Sequence, residues 1–444
     1  MNAWWTKYLP EILREWLEGR HDLQKTIGNT GWLFAEKILR LGVGLLVSIW
    51  MTRYLGPEKF GLLSFATSFV LLFSSIGLLG LDSIVVRNIV RDPSCRDETL
   101  GSAFVLKLFG GVVAFALILV TIIILRPDDR LTQLLVGITA LGMLFQMFST
   151  IDLWFQSQVQ SKYSAYVRSA AFMIVSAAKV TIIILHAPLA AFAWAGAADI
   201  VIGSLGLIIA YRANGLHMKS WRATRTMATE LLRDSWPLMF TDILVLIYMR
   251  VDKVMLGEMS GNTELGVYSV AVLIAEVLYF IPMVINSSVF PSIVKAKGVS
   301  EDYFYARLQQ LYNLMAFLGY AVALPITFLA GWLIPFMFGT AYSGAAPMLI
   351  GLVWAGVFIN FMIARSYYLT AMNWTRLHFI IDFLGCVLNV ALNFWLIPRY
   401  GGMGAVFASF ITYWFVVHGL CFVFKPLFKT GTMMTKAMVY PKIW

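Results

Sequence analysis

The sequence predicts an all-α protein that crosses a membrane many times, and three observations predict it: the composition, the spacing of the apolar runs and the placement of lysine and arginine. Hydrophobic residues make up 59% of the 444 and charged residues 13%, whereas a soluble domain holds roughly 45–50% apolar and about a quarter charged residues. Mean hydropathy is +0.77. A hydrocarbon core about 30 Å thick takes about 20 apolar residues per helix. Runs of that length lie at 31–52, 60–82, 101–125, 131–155, 166–185 and 189–211, then at 236–257, 265–290, 311–335, 346–371, 377–397 and 402–424. Twelve spans follow.

The formal charge of +10 would point to nucleic acid in a soluble chain. Here the cations fall in alternate loops, so charge reads as topology and no nucleic-acid partner is expected. With the N-terminus in the cytoplasm, that side holds 22 lysines and arginines, and the opposite loops hold only Arg53, Lys59, Arg126, Arg130 and Arg399. The positive-inside rule then places both termini in the cytoplasm. Cys95, Cys386 and Cys421 are scattered, with neither disulfide nor metal spacing. The first thirty residues mix acids with bases and have no continuous apolar core, which argues against a cleaved signal peptide. Trp4, Trp5, Tyr8, Ile12, Leu13, Trp16 and Leu17 recur at helical spacing. A cytoplasmic interfacial helix over 1–30, anchoring the first span, is expected.

The connection over 212–235 is the longest and most basic, and it divides the spans six and six. The expected organisation is an N-terminal bundle over 31–211, this linker, a C-terminal bundle over 236–424 and a cytoplasmic tail over 425–444. A shift of 213 residues sets Trp154-Phe-Gln-Ser157 over Tyr367-Tyr-Leu-Thr370 and Ala193-Trp-Ala195 over Val406-Phe-Ala408. A shift of 205 sets Phe60-Gly61-Leu-Leu-Ser64 over Leu265-Gly266-Val-Tyr-Ser269. Six spans is an even number, so the halves share orientation and form a parallel repeat with a central cavity; transporters built from such repeats place their site at the repeat interface.

Ionisable groups inside spans are costly and normally face a bundle interior or an aqueous cavity, which makes each a functional candidate. The cations are Lys37, Arg40, Lys107, Lys179, Arg250, Lys253 and Arg365; the acids are Glu36, Asp82, Asp152, Asp199, Asp242, Asp252, Glu276 and Asp382. Lys107, Asp152, Arg365 and Asp382 lie near cytoplasmic ends, where long side chains snorkel, so boundary and cavity roles both stand. Glu36 and Arg40 are spaced i,i+4 and can pair on one face. Arg250 and Asp252, two apart, cannot face each other, so Arg250 looks elsewhere. Lys179 lies in the outer third of its span. Asp199 and Glu276 fall near mid-membrane, where a carboxylate must be neutral or paired. Cations drawn from several helices suit an anion, phosphate above all, and a phosphorylated amphiphile is the expected substrate. Pro237, Pro282, Pro291, Pro325, Pro335 and Pro347 predict bendable helices in the second half. No catalytic residue is assigned: the histidines lack paired metal spacing, and no Gly-Lys-Ser/Thr phosphate loop occurs. No metal site or cofactor is expected. Energy would come from an ion gradient, membrane potential or mass action.

Asn29-Thr-Gly-Trp32 with Glu36-Lys37 and Arg40, then Arg53-Tyr-Leu-Gly-Pro57 with Phe60-Gly61, then Leu79-Gly-Leu-Asp82 with Val86-Arg87, resemble the opening of the bacterial Wzx-type polysaccharide-biosynthesis flippases. Asp252-Lys253, Leu256-Gly257 and Gly266-Val-Tyr-Ser269 resemble that family's second half, and Gly401-Gly-Met-Gly-Ala405 its turn before the twelfth helix. The resemblance implies the multidrug/oligosaccharidyl-lipid/polysaccharide exporter superfamily, with two bundles in a V around a cationic cavity in the bacterial inner membrane. It implies transfer of undecaprenyl-diphosphate-linked oligosaccharide, such as an O-antigen or other surface polysaccharide unit, from the cytoplasmic to the periplasmic leaflet. Polymerase and glycosyltransferases of that pathway would be partners. The peptidoglycan-precursor branch carries two further helices, and no apolar 18-mer follows residue 424 here. Arg40, Arg53 and Arg250 are the first candidates for diphosphate or sugar acids, with Lys107, Lys179 and Arg365 beside them. Glu36, Asp199 and Glu276 are candidates for coupling to a sodium or proton gradient.

Two other classes compete. A drug or metabolite antiporter of the superfamily would need an apolar or acidic cavity, and a scaffold for cell-wall enzymes would need no ionisable groups at mid-membrane. The topology is testable by reporter fusions: fusions at Lys219 and Lys429 should read cytoplasmic and one at Gly261 periplasmic. A periplasmic reading at either lysine would overturn the parallel repeat.

Overall fold

The computed structural model describes residues 21–372 and 374–441; the aromatic residues of the expected interfacial helix lie outside them. Every element among the described residues is helical. In order they are α1 (His21–Leu72), α2 (Ser74–Leu78), α3 (Asp82–Arg91), α4 (Arg96–Leu125), α5 (Arg130–Ala140), α6 (Ser149–Ser157), α7 (Lys162–Ile184) and α8 (Leu189–Ala213). There follow α9 (Arg225–Met259), α10 (Asn262–Leu278), α11 (Phe280–Val299), α12 (Glu301–Phe338), α13 (Ala345–Ala371), α14 (Thr375–Trp414), α15 (Leu420–Val423) and α16 (Phe428–Val439).

Among the described residues, eight helices are long and apolar enough to cross a membrane, or nine if Gly31–Leu72 and Ser74–Arg91, bent by 40°, count as one span. One of them, Arg376–Val423, has 48 residues, roughly 72 Å of straight helix at about 1.5 Å per residue. That is more than twice a hydrocarbon core. It breaks at Gly401 (φ 55, ψ −134), between the two runs predicted there. α1 breaks in the same way at Gly56 (φ 70, ψ 171), with Pro57 opening the next turn, where its missing N–H costs nothing. α9 stands outside the eight because Asp242, Arg250, Asp252 and Lys253 interrupt its apolar stretch. With these resolved, each of the twelve predicted runs lies on helical structure.

The chain divides into two compact units. The first comprises the residues up to Met51 with Phe69–Ile243, the second Thr52–Ser68 with Leu244 onward. In the first unit, Leu81, just before α3, and Val85 and Ile89 of α3 pack with Leu100 and Ala103 of α4, Leu153 of α6 and Leu231 of α9. Ile151 and Phe155 of α6 form a second cluster with Leu207 and Tyr211 of α8. The second predicted span is discontinuous between α2 and α3, where Leu79 (φ 57) and Gly80 (φ 63) adopt left-handed conformations. The fourth joins α5 to α6 through the 3₁₀ turns of Leu141–Phe148. At the head of α5, partial burial would raise the Asp129 carboxyl, but the Thr132 hydroxyl (2.5 Å) and N–H (3.0 Å) together with the Arg126 guanidinium (3.3 Å) outweigh it and hold it below its usual range.

In the second unit, Phe304, Leu308, Tyr312 and Met315 of α12 pack with Phe361, Ala364 and Tyr368 of α13, with Val416 and Val417, and with Met434 and Ala437 of α16. The expected tail thus contains a docked helix. Lys429 Nζ stands 3.3 Å over the Tyr305 ring, Gln309 donates to the Met433 carbonyl at 3.1 Å and the Tyr320 hydroxyl to that of Met438 at 2.9 Å.

The segment 52–68, early in the sequence, is built into this unit. Arg53 donates through Nε to the Met337 carbonyl at 2.8 Å and through Nη2 to that of Phe336, the last turn of α12, where a cation suits the helix dipole. The Tyr342 hydroxyl donates to the Thr52 carbonyl at 2.9 Å. Gly61 and Gly266, the pair superposed by the 205-residue shift, meet backbone to backbone. A Cβ on Gly61 would stand 1.8 Å from the Asn262 carbonyl oxygen, and one on Gly266 1.9 Å from that of Pro57. No side chain fits without parting the helices.

Gly61→Ala and Gly266→Ala should therefore each cost more than about 2 kcal/mol, read as a fall of several degrees in melting temperature in detergent. Gly331→Ala, at an α12 position with open space around it, should be neutral or stabilising by up to about 1 kcal/mol. Equal melting of all three variants would refute the crossing.

Candidate functional site

The charged residues predicted within spans gather into polar clusters in each unit. In the first, α1 supplies Glu36 and Arg40, which pair at 3.2 Å as their i,i+4 spacing requires. Arg168 of α7 approaches the same Glu36 oxygen at 3.3 Å and Asp152 of α6 at 3.2 Å, while Gln156 donates to Asp152 at 3.0 Å. Arg40 Nη2 also donates to the Arg168 carbonyl at 3.1 Å, and its guanidinium lies 5.1 Å from the centre of the Phe172 ring. Two cations and two acids thus lace three helices together.

Lys107 of α4 forms the second cluster. Its side chain is wholly buried, while that of its partner Asp82 is 55% exposed. The ammonium donates to Asp82 at 2.7 Å and to the Ser149 hydroxyl at 2.9 Å. Asp82 opens α3, just past the break in the second span, and Asp242 faces it from α9. Lys179 of α7 and Asp199 of α8 form the third. They interact through space, with no hydrogen bond between them, and Asp199 Oδ1 is buried without a hydrogen-bond partner among the described residues.

In the second unit α9 carries Arg250, Asp252 and Lys253. Arg250 Nη1 donates to Glu276 of α10 at 2.8 Å, with the two side chains 23% and 36% exposed. Asp252 turns elsewhere, accepting from the Tyr268 hydroxyl and from the Lys253 N–H at 2.7 Å. Lys253 is buried and shares the field of Asp252 and Glu276. Arg365 of α13 is buried at 1% exposure. It donates to the carbonyls of Val416 and Val417 at 2.5 and 3.2 Å, inside the π turn Phe415–Gly419. Beside it His378 and Asp382 of α14 stand 3.6 Å apart.

The structure therefore sorts the six cationic candidates. Arg53 and Arg365 bind backbone carbonyls, Arg40, Lys107 and Arg250 bind carboxylates, and Lys179 has only a through-space acid. Of the three acids proposed for coupling, Glu36 is shared by two arginines, Glu276 is held by one, and Asp199 lacks a hydrogen bond at Oδ1. Sequence reading missed Ser149, Tyr268 and the pairing role of Arg168. Arg168 could have been flagged as a cation at the edge of an apolar run, but the two hydroxyls carry no sequence signal of partnership.

Residues 27–297 match the family model described as polysaccharide biosynthesis protein, and residues 237–395 match that described as MatE. No curated protein matches the chain. Solved structures of several transporters share the fold at low identity. The lipid II flippase MurJ, in an inward closed conformation, is 15% identical with a TM-score of 0.74, over 94% of this chain and 91% of that one. An inward-facing multidrug resistance MATE transporter is 16% identical with a TM-score of 0.68, over 90% and 95%. A Pyrococcus furiosus transporter described as having a binding pocket of reverse polarity is 13% identical with a TM-score of 0.60, over 94% of each chain. The fold is that of the twelve-helix transporters of the multidrug/oligosaccharidyl-lipid/polysaccharide superfamily, a class of transporters and flippases rather than enzymes. Within it the chain belongs to the polysaccharide biosynthesis protein family.

The Lys107 cluster yields a stability test. Asp82→Asn leaves a buried ammonium without its counter-charge, and an unpaired charge costs more than a pair replaced together. Asp82→Asn should lower the melting temperature more than Ser149→Ala, and Lys107→Met with Asp82→Asn should recover part of the loss. A double variant no more stable than Asp82→Asn would exclude the pair as the cause.

Proposed function

We propose that this chain moves undecaprenyl-diphosphate-linked oligosaccharide from the cytoplasmic to the periplasmic leaflet of the bacterial inner membrane by alternating access, with both termini in the cytoplasm. The observation that carries the reading is Arg250. It is a permanently charged guanidinium inside a predicted span, and a single contact, to Glu276, engages it among the described residues, leaving most of its donors for an incoming anion. Guanidinium matches phosphate bidentately. Arg40 is the second candidate, although two of its nitrogens already face Glu36 and the Arg168 carbonyl. Family membership and a fold shared with a lipid II flippase support the same reading. The polyprenyl chain would remain in lipid while the diphosphate and sugars pass through polar surroundings.

An ion-coupled drug or metabolite antiporter is the competing reading, and the MatE match over 237–395 favours it. The acids inside the spans would then be the binding groups and the cations their resting counter-ions.

Arg250→Ala and Arg40→Ala should each reduce export of the surface polysaccharide at least tenfold at equal protein level, and the exposed Lys297→Ala should leave it unchanged. Arg250→Lys should retain part of the activity, since it keeps the charge and loses the fork. Wild-type export by both alanine variants, or efflux of a cationic dye abolished while export persists, would decide against the lipid-diphosphate reading.

A further inference from the structure

Four charges lie together in the second unit and sum to zero: Arg250 and Lys253 against Asp252 and Glu276. The two acids are held very differently. Asp252 accepts from the Tyr268 hydroxyl and the Lys253 N–H, so it keeps stabilising dipoles whatever the cations do. Glu276 has one hydrogen-bonding partner among the described residues, Arg250. The other groups that face it are Lys253 of α9, Tyr279 between α10 and α11, and Tyr413 of α14. Both tyrosines are half-buried, and neither hydrogen-bonds to it among the described residues.

Building on the lipid-diphosphate reading, we propose that Arg250 and Glu276 are one linked switch. A bound diphosphate takes the Arg250 guanidinium from Glu276, and Glu276 then takes up a proton or a monovalent cation, so that anion binding and cation uptake occur together.

The added charge favours it. A diphosphate diester brings two negative charges to a cluster that is already neutral, in surroundings where charges interact far more strongly than in water, and one cation offsets one of them. Lys253 already lies in the fields of Glu276 and Asp252, so it brings no further positive charge to the cluster. Of the two carboxylates, Glu276 is the one that loses its only hydrogen bond among the described residues, and its side chain is 36% exposed. The binding reaction is therefore protein plus diphosphate anion plus one cation giving a ternary complex, and release on the far side frees both. Linkage is reciprocal: if the cation strengthens diphosphate binding, diphosphate strengthens cation binding by the same factor. A gradient of that cation then biases the direction of transport through differential affinity alone.

The test uses the full chain in nanodiscs and P1-farnesyl-P2-methyl diphosphate, whose phosphates do not titrate between pH 5.5 and 8.5. Affinity is measured by calorimetry across that range with and without sodium. For wild type, affinity should fall by up to about tenfold per pH unit as pH rises if the cation is a proton, or rise with sodium at fixed pH if it is sodium. Glu276→Gln should bind more tightly than wild type at pH 8.5 without sodium and show neither dependence. Glu276→Asp, which keeps the acid, should retain the dependence and guards against an amide variant that fails to fold. Arg250→Ala should lose at least tenfold in affinity. Binding by wild type with the same pH and sodium dependence in Glu276→Gln overturns the switch and leaves the lipid-diphosphate reading intact. Wild-type affinity in Arg250→Ala also overturns the switch. No binding by wild type at any pH or sodium concentration overturns the lipid-diphosphate reading itself, and the switch with it.

Discussion

A charge inside hydrocarbon must be met by another charge or by a dipole, and that constraint organises both units. Leaving one uncompensated costs several kcal/mol even where side chains can reach toward water. Most of the cations predicted inside spans, with Arg53 and Arg168 at span edges, have an identified answer among the described residues. Glu36 bridges Arg40 and Arg168, Asp82 and Ser149 hold Lys107, and Glu276 holds Arg250. Arg365 and Arg53 use carbonyls. These contacts tie helices far apart in sequence, which apolar packing among near-identical hydrophobic surfaces cannot specify so well. Polar contacts across helices therefore carry positional information that lipid-facing leucines lack.

Much of the fold was legible because the bilayer imposes a length. Each of the twelve apolar runs lies on helical structure, and the i,i+4 pairing of Glu36 with Arg40 followed from helical spacing alone. So did the divergence of Arg250 from Asp252, which turn to Glu276 and Tyr268. Partners across helices were not legible. Nothing in the sequence joins Lys107 to Asp82 and Ser149, or Arg53 to the end of α12, since those contacts depend on how helices cross. The pairings within the candidate site were hidden for the same reason. The sequence names the intramembrane cations and acids alike, but not which stands beside which.

The helix breaks show a related limit. The prolines of the second half predict bendable helices rather than breaks, and Pro237 lies within continuous α9 and Pro325 and Pro335 within continuous α12. Membrane helices absorb proline when neighbours satisfy the freed carbonyl. The sharp departures fall instead at Gly56, at Leu79-Gly80 and at Gly401, where φ is positive. At Gly401 the following helix is capped from outside, Gly402 N–H donating to Glu264 at 2.9 Å. A positive φ redirects the chain outright, whereas a proline inside a helix removes one hydrogen bond and crowds the carbonyl four residues back, which bends the helix without having to end it.

How many bonds hold a buried charge decides what it can do. Lys107, with two partners and no exposure, and Arg365, with two carbonyls inside a π turn, cannot be released without leaving a desolvated charge behind. They suit a permanent brace. Arg250 and Glu276 are bound to each other by one contact and are both partly exposed, so a competing anion has to replace only that contact to free the pair. Arg40 is intermediate, with an acid and a carbonyl to give up. The same chemical groups thus divide into framework and exchangeable partners by the number of their bonds and their exposure, which residue type and depth in the span do not reveal.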